Sequence, residues 1–325
     1  MWKYSEILCI IEVYDRERDE LMEKQLFTNE IILSWLQYFA ENTPVDLEQI
    51  KMMDITKRNK NLIPTVESHK AVLAFMEAGD PEIFYHMWNA GLGDCEVWYN
   101  EGSEPTGEIK HDKVSDMINR GINESAGMLV VNPNARNTYK LGLDSLNFRQ
   151  GSSRRMGSEI RSVILSKMHI SHEDTVCVIN GESLALEAAF MASEGTIIAV
   201  EYNQKERDAM EDNIGYFDLR NVTVIDHVDE EALKDMPVPS VAFLVASASM
   251  EQEIECLLKL NPLINIVVYT LDFVVAGNMC SLLERYGIKE AEVIQIAVSK
   301  LGPKNAFDLQ PAPWIISGSA ESVSE

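Results

Sequence analysis

Thr175-Val176-Cys177-Val178-Ile179 is an uncharged, largely β-branched run; Asn180-Gly181-Glu182 turns directly after it, and Ser183-Leu184-Ala185-Leu186 opens a helix. A run without apolar–polar alternation predicts a strand covered on both faces, because a strand with one wet face would alternate. Outward from this unit the pattern repeats. Upstream, Ile160, Val163, Ile164 and Met168 share one face of a predicted helix. Downstream come helix Ser183–Ala192, strand Thr196–Val200, helix Gln204–Phe217 and strand Val222–Ile225. A loop with Pro237 and Pro239 leads to strand Val241–Val245, helix Glu251–Leu260, strand Ile264–Tyr269 and helix Val274–Tyr286. Such alternation predicts a parallel sheet with helices on both faces.

The last two predicted strands, Val293–Val298 and Trp314–Ser317, have no helix between them. Five βα units closed by an antiparallel pair is the layout of a class I, Rossmann-like methyltransferase with a seven-stranded sheet, whereas a plain dinucleotide-binding fold would add another parallel strand. The fold class expected is therefore α/β, with this domain over residues 142–318 and a tail at 319–325. Residues 1–141 form a smaller accessory domain, α/β or mainly helical. There Asn29 is expected to cap a helix through Phe39, and a second helix to run from Val66 to Glu77 before Gly79 and Pro81. Glu96–Tyr99 and Met128–Val131 read as strands and Asn100–Asp112 as a loop.

The 28 basic and 52 acidic residues give a net charge of -24, a field that repels phosphate backbones and disfavours nucleic-acid and anionic-membrane partners. One segment opposes this field. Arg136 to Lys167 holds seven basic residues against Asp144 and Glu159, a local +5 that leaves -29 elsewhere. Cys9, Cys95, Cys177, Cys256 and Cys280 show no C-x-x-C spacing and read as reduced thiols in a cytoplasmic protein. No apolar stretch is long enough for a membrane span. Of the six histidines only His169 and His172, in a turn, stand at i, i+3 spacing, and no nucleophile-elbow motif is present, so neither a metal site nor a hydrolase is expected.

Ligands of such sheets sit at the carboxyl ends of the strands. Glu201 follows the second strand, where a carboxylate can accept from both ribose hydroxyls of an adenosyl cofactor. Asp226 and Asp229 follow the third, where an acid can meet the adenine amino group.

Several segments, in order, resemble the decarboxylating precorrin-6Y C5,15-methyltransferases of cobalamin biosynthesis. These are Gly142-Leu143-Asp144-Ser145-Leu146-Asn147-Phe148, Glu159-Ile160-Arg161, Leu186-Glu187-Ala188-Ala189, Ala199-Val200-Glu201 and Asn221-Val222-Thr223-Val224. Thr270-Leu271-Asp272, Gln295 to Lys300 and Pro313-Trp314-Ile315-Ile316-Ser317-Gly318 complete the set. The resemblance covers about residues 142 to 318. It implies S-adenosylmethionine over Asn180, Gly181 and Ser183 with Glu201 on the ribose, and an anionic tetrapyrrole or related small molecule as substrate. It implies no side-chain nucleophile, so no catalytic residue is assigned, and it implies self-association. Arg149, Arg154, Arg155 and Arg161 of the basic island are the candidate contacts to substrate carboxylates, Arg161 first among them.

The departures lie in the cofactor loop. The family's D-x-G-x-G-x-G is Val178-Ile179-Asn180-Gly181-Glu182-Ser183 here, its Gly-Gly after the fourth strand is Ala246-Ser247, and its Thr-Lys is Met156-Gly157 or Gly157-Ser158. Gly79-Asp80-Pro81 is similar to a motif of the tetrapyrrole-methylase domain that precedes this one in fused members, and the first domain reads as a relic or replacement of it. The alternative reading is a non-catalytic descendant, a binding or assembly protein that kept the sheet and lost the cofactor loop.

Overall fold

The computed structural model of the chain describes residues 27–56, 60–76, 82–119, 126–136, 141–144, 148–149, 156–301 and 306–320, and elements are counted among these. Two compact units emerge, one from the described residues of Met1–Lys57 and His69–Ala135, the other from those of Arg58–Ser68 and Arg136–Glu325.

The first unit is mixed α/β. Strands β1 (Ile50–Asp54), β2 (Ala71–Phe75), β3 (Glu96–Tyr99), β4 (Lys110–Lys113) and β5 (Gly127–Val131) form one sheet in the order β1-β2-β5-β3-β4. The β1–β2 pair is parallel and the others antiparallel. Helix α1 (Asn29–Asn42) lays Trp35, Tyr38 and Phe39 against Leu73, Phe75 and Leu129.

Three local expectations change here. The cap of α1 is Thr28, whose hydroxyl accepts from the Ile31 N–H, and Asn29 is already helical. The helix expected over Val66–Glu77 is instead helix α2 (Leu62–Ser68) followed by β2, and the short helices α3 (Ile83–Met87) and α4 (Val114–Met117) come later. Ala71-Val72-Leu73-Ala74-Phe75 is buried at every position, so no alternation distinguishes it from a helix segment. The loop expected at Asn100–Asp112 ends in β4, where Trp98 stacks on His111 at 3.8 Å across the ladder. Gly79-Asp80-Pro81 lies outside the described residues.

In the second unit, β6 (Thr175–Ile179), β7 (Thr196–Val200), β8 (Val222–Ile225), β9 (Val241–Val245), β10 (Asn265–Thr270), β11 (Glu292–Gln295) and β14 (Trp314–Ser319) form a seven-stranded sheet in the order β11-β14-β10-β9-β6-β7-β8. β6 to β10 are parallel, and β14 runs antiparallel between β10 and β11. A small hairpin, β12 (Ser299–Leu301) with β13 (Phe307–Leu309), interrupts the last pair. Its polar first strand gave no signal in the sequence.

Helices α5 (Ser158–Met168), α6 (Ser183–Met191) and α7 (Gln204–Phe217) cover one face with Ile164, Leu186 and Met210 on Val178, Ala199 and Phe243. Helices α8 (Met250–Leu260) and α9 (Phe273–Arg285) cover the other with Ile254, Leu257 and Met279 on Ile179, Leu244 and Val268. Both faces of the central strands are therefore dry, which is why β6, β7 and β9 carry continuous apolar runs.

Residues 60–68 belong to this unit. Asn61 donates to the Asn221 side chain at 2.8 Å and accepts from the Arg220 N–H, while Asn221 donates to the Ala189 and Ala192 carbonyls. Lys60 pairs with Glu194 at 2.7 Å. Among the described residues no helix is long and apolar enough to cross a membrane, and the described cysteines (95, 177, 256 and 280) are free thiols.

Candidate functional site at the carboxyl edge of the sheet

β6 is flanked by β7 on one side and β9 on the other, and the chain crosses from the first pair to the second. That reversal is the topological switch point, and the carboxyl ends of these three strands bound the crevice where such sheets hold ligands.

The turn after β6 is held in an unusual backbone. Asn180 has φ +54 and Glu182 φ +44, both in the region where a side chain crowds its own carbonyl. Gly181 between them lacks room for any Cβ: one would lie 2.3 Å from Val178 Cγ1 and 3.2 Å from Phe243. Its glycine is thus demanded by the sheet beneath it. Asn180 donates its N–H to Val200 O, and the N–H groups of Leu184 and Ala185 go to Gly181 O and Glu182 O. The Glu182 N–H donates to Glu201 Oε1 at 2.8 Å.

Glu201 itself is 2% exposed. Burial, opposed by that hydrogen bond and reinforced by the nearby Glu182 and Glu206 carboxylates, pushes its carboxyl up to about 7. Arg207 fixes the exit of β7 by donating to Glu201 O at 2.7 Å and Tyr202 O at 3.0 Å.

Tyr202, absent from the sequence-based set, is 40% exposed and donates its hydroxyl to Glu253 Oε1 at 2.6 Å. Ser249 donates to the same oxygen at 2.6 Å, and Ser247 lies 3.0 Å from Ser249. Glu253 stands in the first turn of α8 and is 2% exposed; its Oε2 has no hydrogen-bond partner among the described residues. Burial, then Glu253, pushes the Cys177 thiol below this carboxylate up to about 12. No local motif marks Glu253; only the tertiary fold brings it to Tyr202.

Asp226 and Asp229 follow β8 and turn on His227, with Asp226 Oδ1 2.5 Å from Nδ1 and Asp229 Oδ2 3.4 Å from Nε2. The hydrogen bond to His227 lowers the Asp226 carboxyl and raises the imidazole. All three side chains are exposed.

The basic island divides. Arg161 is fully buried, contrary to the expectation that it meets substrate. It donates Nε and Nη2 to Glu187 Oε1 at 3.1 and 2.9 Å, Nη1 to Met156 O at 2.7 Å and Nη2 to Leu143 O. The Gly142 and Leu143 N–H groups complete the shell of Glu187. The guanidinium is consumed in tying the lead-in segment to α5 and α6. Arg149 does reach the edge: with Phe148, Glu182, Ser183, Glu206 and Asn213 it lines a shallow, open pocket. It is paired with Asp212 at 3.0 Å. Arg154 and Arg155 lie outside the described residues.

An adenosyl group presents donors, two ribose hydroxyls and an amine, around a flat base. The edge offers acceptors at Glu201 and Glu253 and the exposed ring of Tyr202 beside them, so its residues fit that half of the cofactor. The methionyl half meets one glycine, already claimed by Val178 and Phe243, and the Glu182 carboxylate.

No protein-family model matches the chain, and no curated protein does. Among solved structures, the precorrin-6Y C5,15-methyltransferase from Geobacter metallireducens GS-15 is 25% identical over 55% of this chain and 96% of that one, with a TM-score of 0.51. The precorrin 8W decarboxylase from Methanobacterium thermoautotrophicum is 15% identical, covering 55% and 99%, at 0.46. The C-terminal domain of precorrin-6Y C5,15-methyltransferase from Rhodobacter capsulatus is 16% identical, covering 55% and 97%, at 0.45. The similarity thus takes in about half of this chain and nearly all of those proteins. With its strand order and antiparallel closing pair, the second unit has the fold of the class I methyltransferases.

Proposed function

We propose that the chain is an S-adenosylmethionine-dependent methyltransferase-type protein that acts on an anionic small molecule of the tetrapyrrole class. The observation that carries this reading is the gathering of Asn180–Ser183, Glu201 and Tyr202 at the switch point of a sheet with methyltransferase strand order. When bound, the cofactor supplies an electrophilic methyl group. The chain's part is to position: Glu201 accepts from ribose hydroxyls through the oxygen that Glu182 does not use, and Tyr202 offers its ring to the base. Asp226 and Asp229 stand at the outer rim of the same edge. Arg149 receives a substrate carboxylate at the pocket beside Glu182 and Ser183. That pocket is shallow and open, so it takes one arm of a larger molecule lying on the surface.

A second reading, a non-catalytic descendant that binds or assembles, draws on the closed state of the loop. Glu201 is buried and accepts from the Glu182 N–H, and the Asn180, Leu184 and Ala185 N–H groups are bonded to carbonyls of the fold.

A thermal-shift titration of the full chain with S-adenosylhomocysteine separates them. Ligand at about a hundredfold over its Kd adds roughly 2.7 kcal/mol, or about 5–10 °C for a domain of this size. The methyltransferase reading expects that shift and its loss in Glu201→Ala. No shift at millimolar ligand contradicts it and leaves the descendant.

A further inference from the structure

A side-chain link bridges the crevice at the switch point. Tyr202 leaves the end of β7, Glu253 stands in the helix that follows β9, and their 2.6 Å hydrogen bond passes over the end of β6 between them. The link is asymmetric in its chemistry. Glu253 Oε1 receives two hydroxyl donors, from Tyr202 and Ser249, while Oε2 receives none among the described residues although it is buried. Buried polar atoms in proteins are almost always partnered, so an acceptor without a donor in a ligand crevice marks unused recognition capacity. The neighbouring hydroxyls have already turned to this carboxylate, and the thiol of Cys177 beneath it is a weak donor. Tyr202 is half exposed and can swing outward; the carboxylate it covers then faces the crevice.

The acids after β8 cannot serve equally. Asp226 and Asp229 already share His227 between them. The acceptor with capacity to spare is on the opposite side of the crevice, at the start of α8.

We propose that Glu253 is a binding residue for the exocyclic amino group of a nucleoside-type ligand, and that Tyr202, bonded to its Oε1, covers the carboxylate and its unused Oε2 until the ligand displaces it. This inference rests on the adenosyl reading above. It adds the residue that discriminates an amino-purine from an oxo-purine: a carboxylate accepts from an amine and repels a carbonyl oxygen.

The test compares S-adenosylhomocysteine with its deaminated analogue, S-inosylhomocysteine, by calorimetric titration of the full chain and its variants. The wild type binds the adenosyl ligand roughly tenfold to a hundredfold more tightly, the value of one charge-assisted hydrogen bond. Glu253→Gln replaces one acceptor by a donor and abolishes or reverses that preference. Tyr202→Phe removes the competing hydroxyl and widens it; this variant leaves the buried carboxylate in place and decides the matter if Glu253→Gln does not fold. Equal wild-type affinity for the two ligands, or an unchanged preference in both variants, overturns the role of Glu253 while the adenosyl reading stands. Failure of the wild type to bind either ligand overturns both.

Discussion

Two buried carboxylates in the second unit, Glu187 and Glu253, are both 2% exposed or less and both sit on helices that pack against the sheet. Glu187 is enclosed by an arginine and two backbone N–H groups. Glu253 has two hydroxyls on one oxygen and no partner among the described residues on the other. The first pattern is what a fold does with a charge it must keep buried: it surrounds the charge with donors of its own. The second is incomplete, at the edge where ligands of this fold class sit. The difference separates a joint from a site, and it relocates the functional interest of the basic island. Its most promising arginine belongs to the joint.

The largest effect expected follows from breaking the joint. Arg161→Met leaves Glu187 buried beside two amides and no cation, which costs about 3–5 kcal/mol. Urea denaturation checks this, and a loss below 1 kcal/mol would mean that the pair is not the clamp described here.

The next concerns Glu201, a carboxyl between the two extremes with one hydrogen bond and a raised pKa. Its folded value of about 7 lies above the ordinary glutamate value of 4.5. The folded chain therefore holds the proton more tightly, so the contribution is full below about pH 4.5 and is lost as pH rises through 7. Wild-type stability should fall relative to Glu201→Gln across that window, by on the order of a few kcal/mol. Parallel pH profiles of the two proteins would remove this assignment.

Smaller again is Gly181→Ala. Its Cβ has no space against Val178 and Phe243, and overpacking of this kind costs typically about 1–3 kcal/mol. The loss should appear in ligand-free protein, as expected of a glycine required by the sheet; a variant as stable as wild type that binds S-adenosylhomocysteine poorly would return Gly181 to a purely ligand-facing role.

Legibility in the sequence tracks the same division between framework and site. β6, β7 and β9 are readable to the residue because strands covered on both faces are apolar throughout and bounded by turns, and the edge strand β8 is readable from its β-branched Val222-Thr223-Val224-Ile225. The same property misled the reading of Ala71–Phe75, where a short apolar run sits beside a real helix end and periodicity cannot separate the two. β4, with Lys110-His111-Asp112-Lys113, escaped because an edge strand paired through its backbone needs no apolar residue. Glu201 could be located from its place after a strand. Its enclosure by Glu182 could not, since that depends on the positive φ of a turn 19 positions away in sequence. Arg161 and Glu187 were both visible as matching segments, but nothing local in either announces that they meet. Tyr202 and Glu253, 51 positions apart, are joined only by strand order.

The central claim is that the carboxyl edge of β6, β7 and β9 receives an adenosyl group. Calorimetric titration of the full chain with S-adenosylhomocysteine at pH 6 and pH 8 tests it most directly. The account predicts saturable binding of one ligand per chain, tighter at pH 8, where Glu201 is ionised and accepts more strongly from ribose hydroxyls. The absence of binding at millimolar ligand at both pH values would contradict it.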